Sequence, residues 1–168
     1  MKIPLKNTLS FCCPKVSLPL ERCLAKTWGF PERRLAGRTV EAHCRIAGAV
    51  AVELCARLEA ILPGLLPQGA ALPALLHDVG KICPPFQLRL YEAVNGPDVR
   101  QRMPELAHAD TALERSVGGH AAVSSACLTG MGAPISLARI VGAHHGRRVR
   151  AIAEDAAVAG GTAWMEVR

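Results

Sequence analysis

Apolar positions recur at three- and four-residue steps over residues 39 to 62, where Val40, His43, Ile46, Ala47, Val50, Leu54 and Leu58 form one stripe. That period predicts a long amphipathic helix with the stripe, His43 included, turned to a core. Pro63, Gly64 and Pro67 end it. Residues 70 to 79 restart a short apolar helix closed by Gly80, which puts His77 and Asp78 in its last turn, facing a pocket. Residues 84 to 93 predict another short helix. Residues 116 to 131 predict a helix with His120 near its start and Ser124 one turn later, and residues 133 to 145 one whose end presents His144 and His145 before Gly146.

Upstream, residues 17 to 28 carry a serine cap, a proline near the first turn and helical spacing, so they too are expected to be helical. Residues 29 to 38, with two glycines, a proline and three arginines, are expected to form a basic loop. Residues 1 to 16 have no clear period and form an irregular lead-in, with residues 17 to 168 as one domain. The polar stretch from 95 to 114, which holds His108, is expected to be variable. No internal repeat or low-complexity tract occurs.

Composition supports an all-α fold. The chain has 168 residues, 50% of them hydrophobic, which suffices for one core and is short for two. Only six residues are aromatic, so the core is aliphatic. A net charge of +6 suits a phosphate-rich partner and equally a solvated arginine face. The seven cysteines, Cys12, Cys13, Cys23, Cys44, Cys55, Cys83 and Cys127, are odd in number and lack C-x-x-C spacing, which speaks against a disulfide framework. No apolar run has signal-peptide or membrane-spanning length, so a cytoplasmic location is expected, with no membrane partner.

Five of the six histidines, His43, His77, His120, His144 and His145, lie within or at the end of apolar segments, where an unpaired ring nitrogen is costly to bury. Helix ends packed around one long helix would gather these imidazoles with Asp78. That set exceeds the four ligands of one structural zinc and suits two ions bridged by the two oxygens of Asp78. Mixed nitrogen and oxygen donors favour manganese, iron, cobalt or nickel over magnesium. Paired ions of this kind serve phosphoester hydrolysis, and Lys81, three residues beyond Asp78, brings an ammonium to the phosphate. His108, in a polar setting, has no place in the pattern.

These residues resemble the HD superfamily of metal-dependent phosphohydrolases, and most closely the N-terminal HD nuclease domain of the CRISPR-associated helicase-nuclease of type I systems. The resemblance is carried by AKTWG around Trp28, His43 in VEAHCRIAGAVA, HDVGKICPPFQ from His77 to Gln87, GGHAAVSSA around His120 and VGAHHG ending at Gly146. It implies an HD-domain helical bundle with the metal site between helix ends, cleaving single-stranded DNA that an RNA-guided surveillance complex exposes. By the same resemblance, one ion takes His43, His77 and Asp78, and the other takes Asp78, His120, His144 and His145. Asp78 and Lys81 are then catalytic, with Lys81 on the scissile phosphate. Ser124 or Ser125 orients ligands or substrate from behind, and Arg147, Arg148 and Arg150 hold the DNA backbone.

One departure stands out. The family pattern has a further aspartate well downstream of the paired histidines, whereas here the only later one is Asp155, ten residues after His145. A truncated domain or a short form would account for it, leaving the second ion with the fuller ligand set. No helicase motif occurs, so unwinding is expected from a missing C-terminal region or a separate chain. Two alternatives remain. One is an HD phosphohydrolase acting on nucleotides, its cyclic-dinucleotide version disfavoured because no GYP follows the paired histidines. The other is a non-catalytic docking module with a remnant metal site.

Overall fold

The computed structural model describes residues 18–147. The lead-in, Cys12, Cys13, Arg148, Arg150 and Asp155 lie outside the described residues. A two-stranded ribbon, β1 (Thr27–Phe30) and β2 (Arg33–Ala36), precedes α1 (Val40–Ile61), α2 (Leu72–Leu76), α3 (Pro84–Asn95), α4 (Val99–Arg102), α5 (Thr111–Ser116), α6 (Gly119–Gly130) and α7 (Ile135–Gly142). The fold is the helical one expected, and this ribbon is its only sheet among the described residues. None of the described helices is long and apolar enough to cross a membrane. The five described cysteines are free thiols.

α1 starts where Thr39 Oγ1 accepts from the Ala42 amide, satisfying one of the donors a helix start leaves open. Its buried face differs from the stripe read in the sequence. Val40, Cys44 and Gly48 are buried, while Ile46, Val50, Leu54 and Leu58 are exposed. Two apolar stripes overlap on this helix, and the small-residue one wins because it admits a neighbour closely. A Cβ on Gly48 would lie 2.9 Å from Leu75 Cδ1 of α2.

Of the helix expected over residues 17 to 28, the described residues from 18 on form none, and residues 29 to 38 are not a loop. A 3-10 turn at Leu20–Arg22 leads into the antiparallel ribbon, whose register pairs Trp28 with Leu35 and Phe30 with Arg33 across Pro31 and Glu32. Buried Gln87 decides this. Its Oε1 accepts from the Leu24 amide at 2.7 Å, and its Nε2 donates to Leu24 O at 2.9 Å and to Lys81 O at 2.6 Å. Those Leu24 groups are thereby committed to a partner 63 residues away, so a local helix cannot use them. Gly29, at φ +103°, lets the strands close, since a Cβ there would meet Arg33 O at 2.4 Å.

The polar stretch from 95 to 114 is likewise structured. Val99, Met103 and Leu106 keep helical spacing among charged residues and are buried with Cys23, Val40 and Leu88. Three apolar side chains in twenty residues suffice to pin it, though they leave its mean character polar.

Candidate metal centre

Four short segments meet at Asp78. His43 comes from the first turn of α1, His77 and Asp78 from the break after α2, His120 from the first turn of α6, and His144 with His145 from the turn after α7. α2 stops at Leu76, and residues Val79–Ile82 form a 3-10 turn. Gly80 is not a helix-ending glycine, as the sequence had suggested. It is a contact point: a Cβ there would lie 2.2 Å from His120 O and 2.4 Å from Ser124 N. Ser124 Oγ accepts from the Gly80 amide at 2.8 Å and donates to His77 O at 2.9 Å. The turn carrying His77 and Asp78 is thus fastened directly to α6.

Asp78 is buried, and its two oxygens face different partners. Oδ2 lies 3.1 Å from His43 Nε2, 3.2 Å from His77 Nε2 and 2.7 Å from Lys81 Nζ. Oδ1 lies 3.4 Å from His120 Nε2 and 3.6 Å from His144 Nε2. His145 joins the second group, its Nε2 2.9 Å from His120 Nε2. Two donor sets result, His43 with His77 and Asp78, and His120 with His144 and His145, each with ligand atoms within 4.8 Å of one another.

Two rings are aimed from behind. His77 Nδ1 lies 2.7 Å from Ala74 O, and His144 Nδ1 lies 2.7 Å from Val141 O. A carbonyl only accepts, so each Nδ1 carries the proton, and each ring turns its Nε2 to the site. Burial pushes His43, His144 and His145 below the usual imidazole range, which favours the neutral, ligating form. Burial would raise Asp78, but the interactions with His120 and Lys81 outweigh it and hold the carboxyl well below its ordinary range. The bare Nε2 of His144 therefore faces the carboxylate oxygen Oδ1 acceptor against acceptor. Among the described residues, buried Asp78 Oδ1 and His144 Nε2 have no hydrogen-bond partner. A divalent cation would satisfy both atoms, and the imidazole and carboxylate donors fit one.

The family model described as Cas3, HD domain matches residues 36–168. The chain belongs to the Cas3 HD-domain family. No curated protein and no solved structure matches it significantly. Membership places the chain among CRISPR-associated, metal-dependent hydrolases, in keeping with a His and Asp cluster that could hold metal.

In this Cas3 HD domain, the six residues read from the sequence as ligands stand together, and exposed His108 stands outside both donor sets. Lys81 pairs with Asp78 and lies 5.5 Å from the Phe86 ring centroid. Ser124 acts on the backbone of the turn, Ser125 is buried beside it, and Arg147 is exposed just beyond the paired histidines. A cavity of about 590 Å³ opens beside His77 and His144, walled by Ala47, Pro73, Ala74 and Ile140. Sequence reading missed Gln87, whose clamp holds Lys81 O, although the FQ after HDVGKICPP marked the position. It also missed Lys26, whose charge reaches His43.

Proposed function

We propose that this domain hydrolyses phosphodiester bonds in single-stranded DNA, as the nuclease of CRISPR interference in antiviral defence. The observation that supports it most is the division of Asp78, one oxygen toward His43 and His77 and the other toward His120 and His144. In this reading His43, His77 and Asp78 would hold one ion, and Asp78, His120, His144 and His145 would hold the other. Bound divalent ions supply Lewis acidity, lowering the pKa of a water and neutralising charge on the phosphoryl oxygens.

The chain's own residues do the rest. The carbonyls of Ala74 and Val141 hold the proton on the far nitrogens of His77 and His144, so the near nitrogens stay available. Ser124 fixes the turn that carries Asp78. The Lys81 ammonium, 2.7 Å from Oδ2 and partly open to solvent, turns from the carboxylate to a phosphate oxygen and stabilises the charge developing there. Arg147, with Arg148 and Arg150, holds the DNA backbone, a contact that weakens as salt rises. A helicase, in the same protein or a separate chain, and an RNA-guided surveillance complex present the strand.

The test is digestion of circular single-stranded DNA and of a nucleotide panel with manganese, by the parent and by Asp78→Ala and His77→Ala. Cleavage of the circle by the parent alone is expected. Hydrolysis of nucleotides without cleavage of the circle would instead select the nucleotide phosphohydrolase, which the cavity beside His77 could serve. Equal rates in parent and variants would remove catalysis and leave a docking module.

A further inference from the structure

The metal centre makes no use of the β1–β2 ribbon, yet the ribbon holds aromatic side chains that the core does without. Of the four aromatic residues described, Trp28 and Phe30 lie on this one strand, 69% and 78% exposed. The register puts Trp28, Leu35, Phe30 and Arg33 on one face. Residues 26–38 hold four bases, Lys26, Arg33, Arg34 and Arg38, against one acid, Glu32. None of the four bases makes an ion pair among the described residues, and Arg34 only reaches Thr27 Oγ1 at 3.4 Å.

The ribbon's base is stitched to the start of α1. Leu24 bridges to Thr39, the Ala25 amide donates to Arg38 O at 2.8 Å, and the Gly37 amide donates to Lys26 O at 3.1 Å. The His43 amide donates to Thr39 O at 3.0 Å, so a metal-centre histidine lies one helical turn from that base. The ribbon's base therefore borders the helix start that carries His43.

Exposed rings beside Arg33, on a ribbon that carries further bases without ion pairs, fit a ligand that offers flat apolar faces joined by anionic links. A nucleic acid strand is such a ligand, and only unpaired bases have faces free to stack. We infer that the ribbon binds single-stranded nucleic acid, with bases stacked on Trp28 and Phe30 and phosphates held by Arg33 and its basic neighbours, feeding the strand to the His43 side of the metal centre. The inference rests on the nuclease reading for its purpose, but binding can be measured without cleavage.

The experiment is fluorescence anisotropy of a labelled oligonucleotide of about 12 nucleotides, with chelator present, for the parent, Trp28→Ala/Phe30→Ala and Trp28→Phe/Phe30→Tyr. Each lost stacking contact should weaken binding roughly 5- to 150-fold. The alanine pair should therefore lose at least about 25-fold, with an unchanged melting temperature because both side chains are exposed. The aromatic pair should stay within about three-fold, since rings remain to stack on. Affinity for a duplex of the same length should not change in either variant. Equal oligonucleotide affinity in the parent and the alanine pair overturns the inference and leaves the ribbon to a protein partner. Failure of the nuclease reading shows separately, as a parent that cleaves neither the oligonucleotide nor bis(p-nitrophenyl) phosphate with manganese while the binding comparison stands.

Discussion

Ser124 and Gly80 show how much of the centre depends on residues that touch no ligand atom directly. Removing the hydroxyl in Ser124→Ala leaves the buried Gly80 amide without its acceptor, at about 1–3 kcal/mol, and frees the turn that carries Asp78. Manganese affinity should fall roughly 10- to 100-fold, as for other groups that orient ligands. Calorimetric titration with manganese, beside a denaturation curve, checks both. Gly80→Ala should do more harm, because its Cβ meets backbone atoms of α6 that cannot swing away. The histidines also set a pH dependence. An unfolded imidazole titrates near about 6.5, and His43, His144 and His145 titrate lower when folded. Below about pH 6.5 the unfolded chain binds more protons, so the stability of the metal-free domain should fall as pH falls. Urea unfolding in chelator from about pH 7.5 to 5.5 tests the sign, and a stability that rose on acidification would refute it. At this scale the grouping of five histidines with Asp78 was legible in the sequence, because imidazoles in apolar segments are costly without a partner. Gly80 was misread, since nothing local distinguishes a glycine that ends a helix from one that another helix presses against.

Single elements are held by a few long-range bonds, and Gln87 on α3 is the most consequential. Gln87→Ala strips partners from Leu24 N, Leu24 O and Lys81 O at once, which should cost about 2–4 kcal/mol if water does not enter. The ribbon's base and the Lys81 backbone should loosen together, visible as faster amide exchange at Leu24 beside a lowered melting temperature. α1, α3, α6 and α7 follow from apolar spacing, to within a few residues. The ribbon does not, because its strands are short and exposed and pair through backbone groups whose placement Gln87 determines from far along the chain. The buried face of α1 escaped for a related reason. Periodicity finds apolar stripes, but the closeness of α2 at Gly48 selects the stripe of small residues.

Taken whole, the molecule places four chain segments around one carboxylate, where a divalent cation would satisfy the atoms left without a partner. Manganese at about one hundred times its dissociation constant should add ~2.7 kcal/mol to stability. For a domain of this size that is a rise of roughly 5–11 °C in melting temperature, reversed by chelator and absent in Asp78→Ala. Differential scanning fluorimetry is sufficient to see it. The helical class and the convergence of the histidines could be anticipated, since the composition favours aliphatic helices and imidazoles in apolar segments need a shared partner. The route of the polar middle segment could not, as its three buried anchors are diluted by their neighbours.

His77 and His144 each hang from a carbonyl three residues back in their own chain segment, so the direction of each ring is written within four residues. The separation between the two halves is tertiary information, supplied where α6 meets the Gly80 turn and where α7 packs on α6 and α2. Such side chains are portable. A chain that has loosened its packing but kept its short helices would still offer single imidazoles correctly turned, and would lose first the spacing that makes two half-sites act as a pair.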